Sequence, residues 1–442
     1  MTIQKAIFLL LLLLTGWELQ AQTTKVITYH DSLRTMVKEE YSIVGNDSSM
    51  ISGAYFRYHE NGEKAVEGQY NSGLRFGEFH EYYKDGSKLR TTQFQDGLRD
   101  GDVIAYGPSG QIVQKGIFRK DTLTGDLSTY FEDGKVKSTT HFVKGKPDGV
   151  IKEYFPSGDI KLEIYYSQGQ WHGPTKEYYP GEKLKSEANY NNGILNGYFK
   201  TYFSNGQLDT ESQMLDGKKT GSFKSFNEQG QLILEGNYAN GVLHGDNRSF
   251  FSDGTLKHNY HYLNGKRTGE NISYHPTGQV KSKANYSKQE KDAKIEIFHE
   301  TGALQSRQAY RDGKPIGEWK QYYPNGKLEK IENYLKGKLH GTLITYNPKE
   351  KVIKEEEFQN GLLTGITKEY DDKGQLKSEA TYKLGKKTGL FRAFHPNGKV
   401  SLKGEYLKDQ EIGEWQSFDE EGNITNKTSY RRGEILNEEP QN

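Results

Sequence analysis

The chain has 442 residues, of which 60 are basic and 59 are acidic, giving a formal net charge of +1. Only 33% of the residues are hydrophobic, too few to fill several closed cores, whereas 50 glycines and 31 tyrosines stand out. The two signs of charge are interspersed without an evident basic stripe, which excludes nucleic acid as the expected partner. The absence of cysteine excludes disulfides, thiolate metal sites and a thiol nucleophile.

The first 21 residues have the pattern of a signal peptide. Lys5 supplies a positive charge, the apolar run Ala6 to Leu14 follows, and Leu19-Gln20-Ala21 resembles a cleavage site. The run is too short for a permanent membrane span, and no later segment is apolar enough to cross a bilayer. An uncleaved N-terminal anchor is the alternative. We therefore expect export through a Sec-type signal peptide to the periplasm or the outside of the cell.

A strict 24-residue repeat begins at Gly53. Glycine recurs at this spacing fifteen times, and Ala293 fills the one gap. With that glycine counted as position 0, glycine also recurs at positions 9 and 20, and the three positions hold 42 of the 50 glycines. The repeat covers residues 53–436 in sixteen units. We expect residues 22–52, which do not fit it, to form an N-terminal cap, and residues 437–442 to form a polar tail.

Three positions of the repeat keep an apolar residue. Position 5 is aromatic in all sixteen units, position 17 is aromatic in fifteen, and position 11 is Val, Leu or Ile in fourteen. Polar residues alternate between them, bounded by Asn-Gly and Asp-Gly, which is typical of two strands joined by a tight turn. The sequence therefore predicts an all-β fold, a tandem array of sixteen 24-residue β-hairpins that forms an elongated, twisted antiparallel sheet or a β-solenoid.

Proline at position 7 of seven units favours a three-residue loop with the glycine of position 9 in the left-handed region. Such a loop places position 5 opposite position 11, and strand alternation then puts positions 5, 11, 15 and 17 on one face. The other face is less regular, because positions 2 and 6 are aromatic in many units and polar in others. We expect these variable aromatic residues to contact a partner. The candidate partner-binding residues are Trp319, Tyr323, Trp415, Phe391, Phe199 and Phe203.

The pattern Gly317-Glu-Trp-Lys-Gln-Tyr-Tyr-Pro-Asn-Gly-Lys-Leu, followed by Tyr334 and Gly337, resembles the MORN repeat in its bacterial variant form. Many members of that family are described as YwqK-like antitoxins of toxin–antitoxin systems. The resemblance covers residues 53–436 and implies a β-hairpin array that binds proteins or membranes, without catalytic residues. A signal peptide does not fit an antitoxin that acts in the cytoplasm. Immunity against a toxin that acts in the envelope agrees with export.

The twelve histidines and the many carboxylates do not indicate a metal site or a catalytic site. His275 and His299 lie at position 6 of adjacent units, where other units have Tyr or Phe, so replacement of an aromatic residue explains them better than a metal site. Repeated surface carboxylates lack the cleft that a glycosidase pair needs, and nucleophile-elbow, P-loop and dinucleotide motifs are missing. We expect neither enzymatic activity, nor a cofactor, nor a metal.

Three functions remain open. The first is a protein-binding scaffold in the bacterial envelope, whose protein partner the sequence does not identify. The alternative is binding to cell-wall glycan through aromatic rings, although only Trp171, Trp319 and Trp415 lie in the repeats. The third is a passive spacer. The uneven aromatic content of positions 2 and 6 favours the first.

Overall fold

A computed structural model describes residues 22–45 and 47–440. The predicted signal peptide, residues 1–21, lies outside the described residues. The described chain consists of β-strands, turns and bends without a helix, so it offers no helix that could span a membrane. The chain divides into two compact units, residues 1–195 and 196–442. These two parts are the first unit and the second unit, whereas each 24-residue repeat is one hairpin.

The first unit is a meander in which each long strand pairs antiparallel with the next long strand along the chain. Residues 22–52 contribute the hairpin of its first two strands, and the second of these pairs with the first strand of the repeat. The strands are β1 (Thr23–Tyr29), β2 (Val37–Val44), β3 (Gly53–Tyr58), β4 (Lys64–Asn71), β5 (Leu74–Tyr82), β6 (Lys88–Gln95), β7 (Leu98–Tyr106), β8 (Ile112–Arg119), β9 (Thr122–Tyr130), β10 (Val136–Val143), β11 (Lys146–Pro147), β12 (Gly149–Tyr154), β13 (Ile160–Ser167), β14 (Gln170–Tyr179) and β15 (Lys183–Asn191).

The second unit has the same antiparallel order of neighbours. Its strands are β16 (Ile194–Tyr202), β17 (Leu208–Leu215), β18 (Lys218–Phe226), β19 (Leu232–Ala239), β20 (Val242–Leu243), β21 (Gly245–Phe250), β22 (Leu256–Leu263), β23 (Lys266–Arg267), β24 (Gly269–Tyr274), β25 (Val280–Ser287), β26 (Asp292–Phe298), β27 (Leu304–Arg311), β28 (Lys314–Pro315), β29 (Gly317–Tyr322), β30 (Leu328–Leu335), β31 (Lys338–Leu339), β32 (Gly341–Tyr346), β33 (Val352–Gln359), β34 (Leu362–Tyr370), β35 (Leu376–Lys383), β36 (Lys386–Phe394), β37 (Val400–Leu407), β38 (Gln410–Phe418), β39 (Ile424–Arg431) and β40 (Glu434–Pro440).

The end of the repeat differs from the expected polar tail. Residues 437–440 belong to β40 and pair with β39, so that Lys427 lies opposite Glu439 and Asn426 opposite Pro440. Backbone hydrogen bonds to β39 hold these residues in a regular strand, although their side chains are exposed. Residues 441 and 442 lie outside the described part of the chain.

Each 24-residue hairpin repeat contains two different turns. At the first turn, the His59 amide donates to the Glu63 carbonyl over 2.8 Å and the Gly62 amide donates to the His59 carbonyl over 3.0 Å. Gly62 has φ +86°, as the predicted three-residue loop requires. At the second turn, Ser72 and Gly73 both have positive φ, which is the two-residue type I′ turn. The predicted loop and the predicted all-β array of tandem hairpins are confirmed.

A β-bulge in every hairpin decides which side chains share a face. Position 5 pairs with position 11, as predicted, for example Tyr58 with Lys64, but the next pair joins positions 4 and 13, Arg57 with Val66. Position 12 is skipped in all sixteen hairpins. One extra residue reverses the alternation of side chains. The predicted face of positions 5, 11, 15 and 17 is therefore wrong, because positions 15 and 17 lie with position 2.

The recurring glycine at position 0 marks a second bulge. Around Gly77, which has φ +71°, the register changes from Glu67 opposite His80 to Gln69 opposite Phe76, leaving extra residues on β5. Glycine adopts this backbone conformation without steric cost.

Ala293 replaces the glycine once, and the local pairing changes with it. There β25 and β26 pair without a bulge from Ser282 opposite Ile297 to Ser287 opposite Asp292. The extra residues lie instead in a longer turn, residues 288–291, between the two strands. The longer turn contains the extra residues that the bulge contains in other hairpins. The repeat length therefore stays at 24 residues although the glycine is lost.

Candidate interaction surfaces

In each of the two compact units, side chains at positions 2, 15 and 17 lie on one face of the hairpins, and we call them the aromatic row. Phe79 at position 2 lies between Tyr70 and Phe94 at position 17, with ring centroids 5.5 and 5.1 Å away. Its ring covers Gly68 at position 15, where a Cβ would come within 2.5 Å of the ring. Phe79 is only 3% exposed. The aromatic row is therefore a packed core rather than a free surface.

The same arrangement recurs near the end of the second unit. Trp415 lies between Tyr406 and Tyr430 at centroid distances of 5.1 and 6.0 Å, and it stacks on Phe391 at 5.6 Å. A Cβ on Gly404 would come within 2.1 Å of the indole ring, so this ring requires glycine beneath it. Trp415 is 6% exposed.

Two hairpins replace the ring at position 2 by asparagine. Asn271 is 2% exposed, and its Oδ1 accepts the amide proton of His261 over 3.1 Å. Its Nδ2 donates to the carbonyls of Thr268 and Gly269 over 3.0 and 3.1 Å. Asn247 accepts from the Asn237 amide in the same way. A buried amide here satisfies backbone groups beside the bulge and so replaces the ring without an unpaired polar group.

The aromatic row contains four of the six predicted partner-binding residues. Phe391 and Trp415 are in contact with each other. Trp319 instead lies between Tyr310 and Tyr334, at centroid distances of 5.1 and 4.7 Å, and its indole N–H donates to a backbone carbonyl, that of residue 309, over 3.1 Å. Phe199 also occupies position 2. These contacts give Trp319, Phe391 and Trp415 a packing role, and partner binding stays a prediction for all four residues.

Tyr323 and Phe203, the other two predicted residues, lie at position 6 in the first turn. The Tyr323 hydroxyl donates to the carbonyl of Tyr346 in the following hairpin over 2.7 Å. Histidine at position 6 forms the equivalent bond: His275 and His299 place Nε2 3.2 Å from the carbonyl oxygens of the following hairpins. These histidines thus replace tyrosine as donors that join consecutive turns. No His, Cys, Asp and Glu cluster fit for a metal ion occurs within residues 22–45 and 47–440.

In several successive hairpins the opposite face carries alternating charges at positions 3 and 14, which we call the charge row. Lys200, Glu211, Lys224, Glu235 and Arg248 follow one another in cross-strand register. The side chains of Lys200 and Glu211 approach to 3.7 Å, and those of Arg248 and Glu235 to 3.5 Å. Cross-strand pairs of opposite sign stabilise a sheet modestly. The charge row therefore neutralises itself.

Tyrosine at position 5 supports the charge row from the side. In the first unit, Lys152 lies 3.2 Å from Glu163, and the Tyr178 hydroxyl donates to the same carboxylate over 3.0 Å. Partial burial, together with this hydrogen bond to Glu163, raises the pKa of Tyr178 to about 12. The phenol therefore remains a hydrogen-bond donor at any physiological pH.

Reversal of one charge in the charge row tests its contribution to stability. Lys224→Glu puts three carboxylates in line with Glu211 and Glu235, and we expect it to lower the free energy of unfolding by about 1 kcal/mol at low salt. The loss should shrink in about 1 M salt, which screens exposed charges. Urea unfolding at the two salt concentrations measures it. Lys266→Glu, in a turn opposite Leu263, is the control. An equal effect in both variants would contradict the role of the charge row.

Comparison with known proteins identifies the repeat. The family model described as MORN repeat variant matches ten segments of 22 residues, each beginning at position 22 of one unit. The segments are 123–144, 147–168, 171–192, 195–216, 219–240, 267–288, 315–336, 363–384, 387–408 and 411–432. No curated protein matches the chain.

Two solved structures have low similarity to this chain. One is the crystal structure of TcdB2-TccC3-Cdc42, with 13% identity over 93% of this chain and 26% of that chain, at a TM-score of 0.16. Another is the Tc holotoxin pore of Photorhabdus luminescens with a TccC3 substitution, with 12% identity over 93% of this chain and 30% of that chain, at a TM-score of 0.14. This chain thus spans between a quarter and a third of the length of those chains. The ten family matches, in phase with the observed hairpins, show that the chain belongs to the MORN repeat variant proteins.

Proposed function

We propose that this chain is an exported, non-enzymatic scaffold that binds protein in the bacterial envelope. The observation that carries the proposal is the recurrence of the same hairpin, with equivalent turns at its two ends, in register in both units. Consecutive hairpins are about 9.6 Å apart at the usual strand spacing. Repeat proteins use such periodic surfaces to bind extended or repeated partners. Membership in the MORN repeat variant family supports a scaffold role.

The proposed location rests on the N-terminal sequence. Lys5, the apolar run that follows it and Ala21 have the order of a cleavable signal peptide. Expression in a bacterial host followed by mass measurement tests this part. A product that begins at Gln22 in the periplasm or the medium is expected, whereas an uncleaved chain held at the membrane would contradict cleavage.

An immunity-like role is a finer form of the same proposal. Resemblance to YwqK-like antitoxins motivates it, and export places the chain where it could neutralise only a toxin that acts in the envelope. Glycan binding, the alternative, gains no favouring observation. Trp171 lies between Tyr166 and Tyr190 at centroid distances of 6.3 and 4.8 Å, so neighbouring tyrosines already contact its ring.

Deletion of single hairpins tests the scaffold. The mature chain and variants that each lack one 24-residue unit, such as residues 245–268, serve as baits in cross-linking pull-downs from envelope fractions of the native host. Removing one whole period keeps the phase of the repeat, so each variant should fold. We expect one protein to be recovered by the full array and lost with particular deletions. Recovery of wall material alone, or of no protein by the full array, would contradict the proposal.

A further inference from the structure

The hairpins bring residues that are distant in sequence to one of two edges. One edge consists of the first turns, positions 6–10, and the other consists of the type I′ turns, positions 18–21. In the second unit this edge comprises nine type I′ turns, 215–218, 239–242, 263–266, 311–314, 335–338, 359–362, 383–386, 407–410 and 431–434, together with 287–290 from the longer turn before Ala293. We call this edge the basic rim.

The two edges of the second unit differ in charge. The basic rim carries twelve Lys or Arg and five Asp or Glu, a net charge of +7. The first turns of the same ten hairpins carry five Lys and nine Asp or Glu, a net charge of −4. The prediction that the chain has no basic stripe is therefore wrong for this edge. Whole-chain composition averages the two edges to near neutrality.

Most Lys and Arg side chains of the basic rim form no ion pair within the described chain, unlike those of the charge row. Of its twelve cations, only Lys288 forms an ion pair with another described residue, at 3.0 Å from Asp292. Lys336, Lys338, Lys383 and Lys386 are exposed and make no ion pair within the described chain. Cations that outnumber the anions of one edge and are not ion-paired there attract an external anion.

Exposed aliphatic side chains accompany these cations. Leu215, Leu263 and Leu335 each lie directly opposite a lysine across the type I′ turn, and they are 54%, 52% and 50% exposed. Leu384 is 72% exposed. The basic rim thus presents alternating cationic and apolar contacts, which fit an acidic segment that also carries apolar residues.

We propose that the basic rim binds an acidic protein segment that contains leucine or similar apolar residues. This inference rests on the proposed scaffold function and names its partner class and surface. An extended segment advances about 10 Å in three residues, close to the ~9.6 Å between hairpins, so a three-residue acidic and apolar pattern follows the basic rim in register. Asp216, Asp312 and Asp409 lie in the same turns as the lysines. A protein segment can place a basic residue against them, whereas a uniformly anionic bilayer repels them.

A designed peptide tests the basic rim. The probe is a fluorescein-labelled 24-residue peptide of eight Glu-Ser-Leu triplets, measured by fluorescence anisotropy against the mature chain. The rim variant combines Lys336→Glu, Lys338→Glu, Lys383→Glu and Lys386→Glu. The control combines Lys327→Glu, Lys349→Glu, Lys351→Glu and Lys399→Glu in the first turns, with the same change of net charge. We expect the rim variant to weaken binding about ten-fold or more and the control about two-fold or less.

Other probes distinguish the competing outcomes. A peptide of Glu-Ser-Ser triplets should bind more weakly than the leucine peptide, because it lacks the apolar contacts. Equal loss in both protein variants, no binding of the leucine peptide, or binding to phosphatidylglycerol vesicles without binding to the peptide would each overturn the proposal. If the envelope partner still binds the rim variant, the scaffold function stands and the assignment to the basic rim fails. If no envelope protein is captured at all, the scaffold function itself fails.

Discussion

Replacement of Trp415 by alanine is expected to lower local stability by about 3 kcal/mol or more, because removal of a buried tryptophan loses its transfer free energy and leaves a cavity. The ring is 6% exposed and contacts Tyr406, Tyr430 and Phe391. In a repeat array each hairpin contacts only its neighbours. Hydrogen exchange should therefore accelerate in β37–β40 and stay unchanged in the first unit.

Gly404 provides the matched test of this packing. Gly404→Ala in the wild-type chain places a Cβ 2.1 Å from the indole and should also accelerate exchange in β37 and β38. In the Trp415→Ala background, Gly404→Leu should recover part of the lost protection by filling the cavity. Unchanged exchange in Gly404→Ala would show that the ring does not lie over this glycine.

Asn271→Leu is expected to cost about 3 kcal/mol although it exchanges side chains of similar volume. It removes three hydrogen bonds and leaves the His261 amide and the carbonyls of Thr268 and Gly269 without the Asn271 side chain as their partner. Chemical unfolding with hydrogen exchange at β22 and β24 measures the loss.

Thr367→Val is the control for Asn271. Thr367 also occupies position 2 and is 6% exposed, but its Oγ1 has no hydrogen-bond partner among the described residues. Removing this buried hydroxyl should be neutral or stabilising. A loss at Thr367→Val as large as that at Asn271→Leu would show that the shape at position 2, and not hydrogen bonding, sets the stability.

Local turn chemistry made the hairpin array predictable from sequence. Glycine at position 9 and proline at position 7 specify the three-residue loop, and the structure has it at Gly62. The unbroken 24-residue phase predicts sixteen similar hairpins, and even Ala293 keeps that phase by moving residues from a bulge into a turn. These features depend on residues close in sequence, so pattern alone carries them.

The assignment of faces depended on a bulge that has no glycine or proline to mark it. Position 12 holds residues as different as Ala65, Lys137 and Asp209, so its identity does not reveal the bulge. Reciprocal residue size contained a usable signal. Large rings at position 2 coincide with small residues at position 15 of the preceding hairpin, as in Phe79 with Gly68 and Trp415 with Gly404. This correlation indicates that positions 2 and 15 share a face.

The basic rim is not visible in the order of residues along the chain, for a different reason. Lys and Arg at positions 18–21 are separated by about twenty residues along the chain, and acidic residues at other positions lie between them. A count along the sequence therefore finds mixed charge, whereas a count by repeat position finds an edge with a net charge of +7 in the second unit. Only the fold, which aligns equal positions of successive hairpins, turns these residues into one surface.

Lysine-reactive cross-linking of the mature chain in envelope fractions, followed by mass spectrometry, tests whether the chain is a scaffold that binds protein through the basic rim. We expect an acidic protein to become linked to lysines of the basic rim, such as Lys338 and Lys386, and not to Lys351 and Lys399 in the first turns. Links concentrated at the first turns, or no intermolecular links to any protein, would contradict this expectation.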